Sequence, residues 1–169
     1  GMGVTDTCST GSNSCIATVE AAHLQALSDG TTYTITVALS ADAAGNTATS
    51  DTGDTFVYDI TAPSISNVVA SWGDYLNAAE DNSAGTVTVT TLNAADSSTV
   101  TVTGMGVTDT CSTSSNSCVA TIEAAHLQAL SDGTTYTITV ALTADAAGNT
   151  ATSDTGDTFV YDITAPSIS

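Results

Sequence analysis

The chain has 169 residues, 41% of them hydrophobic, with 18 acidic residues and no Lys or Arg. That apolar content suffices for a packed core and argues against wholesale disorder, while a formal net charge of −18 repels nucleic acid and anionic membrane surfaces. Only His23 and His126 could lend the carboxylates weak cationic help, so self-repulsion strains the compact state unless a divalent cation or salt relieves it.

An internal repeat sets the organisation. Gly1–Ser66 and Gly104–Ser169 align without gaps at a period of 103, differing only at Gly11/Ser114, Ile16/Val119, Val19/Ile122 and Ser40/Thr143. Such near-identity marks copies of one module in an array. The boundary is the phrase Asp59-Ile60-Thr61-Ala62-Pro63, repeated as Asp162-Ile163-Thr164-Ala165-Pro166. Proline fixes φ and pushes the preceding residue to extended geometry, which suits a short, semi-rigid connector. The expected organisation is therefore the C-terminal part of one repeat at 1–60, a complete repeat at 61–163 and the start of the next at 164–169. The copy at 1–60 lacks the first three strands. Either the chain is a window onto a longer protein, or another molecule supplies those strands by strand addition. No charged segment followed by an apolar core marks a signal peptide in this window, and the apolar runs are too short to span a bilayer.

In chain order, the complete module opens with a strand ending near Trp72, where a packing role beside the first loop is expected. Val87 and Val89 alternate with Thr86, Thr88 and Thr90, and Val100 and Val102 alternate with Thr99, Thr101 and Thr103. Cys111 and Cys118 then flank a turn-forming Ser-Thr-Ser-Ser-Asn-Ser stretch, which predicts a hairpin closed at its neck. Cys8 and Cys15 repeat the spacing. An even cysteine count favours two disulfides and an oxidising, non-cytosolic compartment. Closing so short a loop is worth roughly 2.5 kcal/mol in the chain-entropy treatment. The rival, a zinc site using His126, lacks both the usual spacing and a fourth ligand.

Ala124–Leu130 offers a helical turn or two, with His126 (and His23) exposed on it. Tyr136, Ile138, Val140 and Leu142 then alternate with Thr135, Thr137, Thr139 and Ala141, and Phe159 and Tyr161 close the pattern. Gly, Asn and Asp clusters at Gly73–Asp74, Asp81–Gly85, Asp132–Gly133 and Ala147–Asn149 punctuate these runs as turns do. Together these elements predict an all-β module of about seven antiparallel strands in two packed sheets, an immunoglobulin-like β-sandwich.

Three phrases, ITAPSIS at the module start, GDYLNAAED after the first strand and LSDGTTYTITVALTADAAGNTATS near the end, resemble the bacterial Ig-like extender repeats of giant RTX-type surface adhesins. LSDGTTY also resembles the tyrosine corner of Ig and fibronectin type III sandwiches, with Tyr136 and Tyr33 at the corner. The resemblance covers the whole period except Asp109–Ser117, where the cysteine-flanked loop departs from it.

Calcium is the cofactor expected at the junctions, because it takes several hard oxygen ligands in flexible geometry. In an Ig-type sandwich the loop carrying Asp145 (Asp42 in the preceding copy) lies at the end of the entering connector with Asp59. The loop with Asp74, Glu80 and Asp81 lies at the opposite end, beside Asp162. The resemblance implies the same, since such extender repeats form calcium-rigidified rods. The competing reading is that these Asp residues serve turns through their own backbone. For the pairs Asp51/Asp54 and Asp154/Asp157 a turn or bulge is at least as good.

The Thr-x-Thr runs are what solvated strand faces favour, and a twisted sheet disfavours ice matching. No nucleophile–base pair, oxyanion donor or phosphate loop points to catalysis. The expected function is a structural spacer in an extracellular, cell-surface adhesin or fibre, partnered by further copies of the repeat. The alternatives are a filament subunit completed by strand exchange, and a glycan-binding module around Trp72 and Tyr75.

Overall fold

The computed structural model describes residues 2–168, and the chain divides into two compact units, Gly1–Thr61 and Ala62–Ser169. In the first unit a short helix, α1 (Ala21–Gln25), precedes two antiparallel strands, β1 (Thr31–Val37) and β2 (Asp51–Tyr58). Tyr33 opposes Phe56 across the pair, and their rings stack with centroids 5.9 Å apart.

The second unit is a two-sheet, Ig-like sandwich. Its strands are β3 (Ser64–Ala70), β4 (Tyr75–Leu76), β5 (Gly85–Leu92), β6 (Thr99–Thr103), β7 (Thr108–Ser112), β8 (Ser117–Ile122), β9 (Thr134–Leu142) and β10 (Asp154–Tyr161). One sheet has the order β4-β10-β9-β6-β7 and the other β3-β5-β8. The period-2 alternation decides which side chains meet between them. Val87 and Val89 of β5, Val100 and Val102 of β6, and Ile138 and Val140 of β9 are fully buried. Phe159 and Tyr161 of β10 join them, while the intervening threonines of β5 are half-buried. Burying each such aliphatic side chain stabilises the fold by about 1.5–3 kcal/mol. A single-turn helix, α2 (Ala124–Leu127), adds the fully buried Leu127, and His126 beside it is exposed. Trp72 is buried edge-on against Phe159, with ring centroids 5.2 Å apart, so it packs the core and offers no face to a sugar.

Two features differ from the sequence expectation. The two-residue strand β4 pairs in parallel with β10, adding an eighth strand to the unit. The segment around Cys111 and Cys118 turns back at an antiparallel Ser114–Ser117 bridge, as a hairpin does, but its flanking strands do not stay paired. Strand β7 pairs with β6 in one sheet, and β8 pairs with β5 in the other. Between them Ser115 and Asn116 have φ of 51° and 60°, and Ser114 and Ser117 bond each other's backbone in a tight turn. Asn tolerates this left-handed geometry better than most residues. The chain thus changes sheet at a corner, and the Cys111–Cys118 disulfide, with Cα atoms 5.8 Å apart, staples the two sheets together. Cys8 and Cys15 of the first unit are also disulfide-bonded, with Cα atoms 5.8 Å apart.

Gly104, which follows β6, has φ of 112°, and a Cβ there would collide with the Thr137 carbonyl oxygen. Both faults act on the sheet centre. Gly104→Ala should therefore destabilise the second unit by at least about 2 kcal/mol in chemical denaturation. A loss below 0.5 kcal/mol, on the scale of ordinary surface changes, would contradict this packing.

Candidate functional site

The connector leaving the second unit begins where β10 ends. Asp162 N–H donates to the Leu76 carbonyl at 2.9 Å, so the strand pairing with β4 runs right up to the connector. The next two residues are held by a carboxylate from a distant turn. Asp132 Oδ1 accepts the Ile163 N–H at 2.8 Å, and Asp132 Oδ2 accepts the Thr164 hydroxyl at 2.6 Å. Asp162 Oδ1 takes the Thr164 N–H at 3.0 Å. Two carboxylates therefore fix three donors of the connector.

The turn that carries Asp132 is itself tied down. Tyr136 Oη accepts the Ser131 N–H at 2.8 Å, which is the tyrosine corner that LSDGTTY resembles, and Gly133 N–H donates to the Tyr161 carbonyl at 2.7 Å. Tyr136 stacks on Phe159 of the core, with centroids 5.6 Å apart. A continuous path thus runs from core ring to corner, to Asp132 and to the connector. The first unit repeats the arrangement. Asp29 Oδ1 accepts the Ile60 N–H at 2.8 Å, its Oδ2 accepts the Thr61 hydroxyl, and Asp59 Oδ1 accepts the Thr61 N–H at 3.0 Å. Tyr33 Oη accepts the Ser28 N–H at 2.8 Å.

These bonds favour the charged carboxylates. The Thr164 hydroxyl, followed by the Ile163 amide, holds Asp132 below its ordinary value of 3.8, and Thr61 and Ile60 do the same for Asp29. Both carboxylates are exposed, so the gain is screened.

Sequence reasoning placed Asp132 among turn punctuation and passed over its role. The signal was present as a Ser-Asp-Gly-Thr-Thr-Tyr turn recurring 31 residues before each Ile-Thr-Ala-Pro, but sequence alone does not reveal a bond across that separation.

The carboxylates expected to hold calcium sit as follows. Asp145 Oδ1 accepts the Ala147 and Asn149 N–H groups, and Oδ2 accepts the Asn149 side-chain amide, all within 3.0 Å. Asp42 repeats this with Ala44 and Asn46. Glu80 accepts from the Asn77 backbone and side-chain amides. Asp81 is buried and accepts the Tyr161 hydroxyl at 2.7 Å, a bond that together with burial pushes the tyrosine up to about 12. Asp74 meets β10 through its carbonyl, which accepts the Val160 N–H. Asp162 shares a shallow open cleft with Asn77, Ala78, Ala79 and Thr164. The fold brings Asp74, Glu80, Asp81 and Asp162 to one end of the unit. Among the described residues, however, no three carboxylate, His or Cys groups converge as a metal would require.

Three solved bacterial adhesin structures are similar to this chain. A bacterial immunoglobulin-like domain from the M. primoryensis ice-binding adhesin is 25% identical, covering 58% of this chain and 96% of its own, with a TM-score of 0.41. A structure bearing on host cell surface retention of a 1.5-MDa bacterial ice-binding adhesin is 25% identical, with coverage of 79% and 42% and a TM-score of 0.44. A Ca2+-stabilized adhesin that helps an Antarctic bacterium reach out and bind ice is 28% identical, with coverage of 80% and 32% and a TM-score of 0.44. The likeness is to bacterial adhesin modules. This chain spans less than half the length of the second and third, and at such TM-scores the sandwich assignment rests on the strand pairing of the second unit itself. No protein-family model and no curated protein matches the chain.

Asp132→Ala should free the connector while leaving the sandwich folded. The hydrogen-exchange protection factor at Ile163, whose N–H Asp132 holds, is expected to fall about tenfold or more as that charge-assisted bond is lost. Acid should act alike: a depressed carboxylate value means the stabilisation is present above the unfolded value and lost as pH falls through the lower folded one. Unchanged exchange in both cases would exclude the clamp.

Proposed function

We propose that the chain is part of the spacer region of an extracellular bacterial surface adhesin or fibre, in which Ig-like modules repeat every 103 residues. The observation that carries this reading is the course of β3 and β4 along β10. Gly156 abuts Val68, Ala70 N–H donates to Asp157, and Tyr75 and Leu76 pair with Val160 and Tyr161. All three strands run in the same direction, so a connector enters this module at one end and leaves at the other. Strand β10 has eight residues, which sets these ends about 26 Å apart. Such a module adds length with each repeat, and the Asp132 clamp makes the exit direction a property of the module.

Calcium is the finer part of the proposal. It is supported by the charge of −18 without a single Lys or Arg, and by Asp74, Glu80 and Asp162 lying at the exit end. Asp81 is committed to Tyr161, so further oxygen ligands would have to come from backbone carbonyls, Asn77 or water. The residues of one module do not by themselves make a complete site, and no coordination geometry follows from them. The disulfides support an oxidising, extracellular setting.

Small-angle scattering at low salt, with calcium and then with a chelator, tests both parts. A stiffer profile with calcium than with an equal ionic strength of sodium is expected. Superimposable curves of extended shape would remove calcium and keep the spacer. Compact, unextended curves in both conditions would remove the spacer itself.

A further inference from the structure

The outward face of the five-stranded sheet carries hydroxyls and one exposed ring. Register across β7, β6 and β9 lines up Thr108, Thr103 and Thr139 in one row, and Thr110, Thr101 and Ala141 in the next. Val102 and Val140, which separate these rows along β6 and β9, are fully buried, so strand alternation turns the rows to solvent. On the other side of the sheet Tyr75, Val160 and Thr135 form a further row, beside the pair Thr158 and Thr137. Leu76 is fully buried, which turns Tyr75 outward at 63% exposure. Among the described aromatic residues of the second unit, Tyr75 alone is exposed.

None of these outward positions carries a charge, in a chain with 18 acids. Asp109 pairs with Val102 and Asp154 with Val140, so both lie on the inward side of their strands. Asp157 accepts the Ala70 N–H, and Asp74 and Asp162 stand at the exit rim of the sheet. Threonine is what a solvated strand favours in any case, but that preference does not account for a tyrosine left outside the core. The opposite sheet is three strands wide, and its strands contain no aromatic residue.

We propose that this face of the second unit is a docking platform for a neutral polysaccharide. The proposal is independent of the spacer reading. A threonine hydroxyl both donates and accepts, as a sugar hydroxyl does. Spaced about 4.8 Å apart across the strands and about 6.8 Å along them, the threonines offer a chain of sugars repeated partners. The Tyr75 ring gives the apolar side of a sugar a flat surface, with its own hydroxyl free to bond at the edge. Charge decides between occupants. A net charge of −18 repels anionic glycans, and a second copy of the chain would bring two acid-rimmed faces together. An uncharged polymer meets neither penalty. The face has no cleft, so one module binds weakly, with a Kd of about 1 mM.

The test titrates the 169-residue chain with cellohexaose, laminarihexaose and mannohexaose, each up to about 10 mM, and follows backbone amide 15N–1H shifts. At least one of these neutral probes is expected to move Tyr75, Val160, Thr135 and Thr137 together, while a hyaluronate oligosaccharide at the same concentration moves none of them. Tyr75→Ala should weaken the binding about threefold or more. Thr137→Val, which keeps the side-chain shape on an exposed position and removes only the hydroxyl, should weaken it about twofold or more. Shifts from none of the three neutral probes, shifts confined to residues off this face, or equal binding of hyaluronate would each overturn the proposal. So would binding indifferent to both substitutions, or self-association of the chain through this face that excludes the sugars.

Discussion

Without Lys or Arg, a carboxylate of this chain has N–H and O–H groups as its partners inside the fold, apart from two histidines. That constraint explains where the acids sit. Asp145 and Asp42 bind the amides of their own turns, Asp81 takes a tyrosine hydroxyl, and Asp132 and Asp29 take the donors of the connectors. A charge that would elsewhere form a mobile surface ion pair becomes a tie on backbone geometry. Charge-assisted bonds to amides are directional, and exposed ion pairs are worth little by comparison. The acids therefore shape the ends of the module more than its surface.

The ends matter because the strand order separates them. With β3 and β4 running along β10 in the same direction, the connector that enters and the connector that leaves are set apart by the strand length. The sheets are joined at the corner between β7 and β8, where Cys111–Cys118 links strands of opposite sheets. A disulfide across a corner holds the sandwich closed in a way that a bond across a hairpin neck would not. In the proposed spacer, a module so braced would pass load from one connector, through paired strands, to the next.

Much of the fold was legible because side-chain alternation is local. The runs through Val87, Val100 and Ile138 announced both strand and buried face, and Tyr136 announced its corner. What alternation does not encode is the sheet to which a strand belongs. A pair of cysteines seven residues apart fits a hairpin and a sheet-changing corner equally, and the pairing of β7 with β6 and of β8 with β5 decides between them. The parallel β4 was too short to show a period. Among the acids, turn chemistry was readable at Asp145 from its Ala-Ala-Gly-Asn sequel. The tie from Asp132 to Thr164 spans 32 residues and leaves no local trace.

Backbone 15N relaxation at Ile163 and Thr164, with Ile60 and Thr61 as the internal counterpart, tests the connector clamp most directly. If Asp132 and Asp29 hold these residues to their modules, order parameters should stay near 0.85, as in the adjoining strand, until the carboxylates are protonated. Values below about 0.6 at neutral pH would mean that the connectors swing free of the modules.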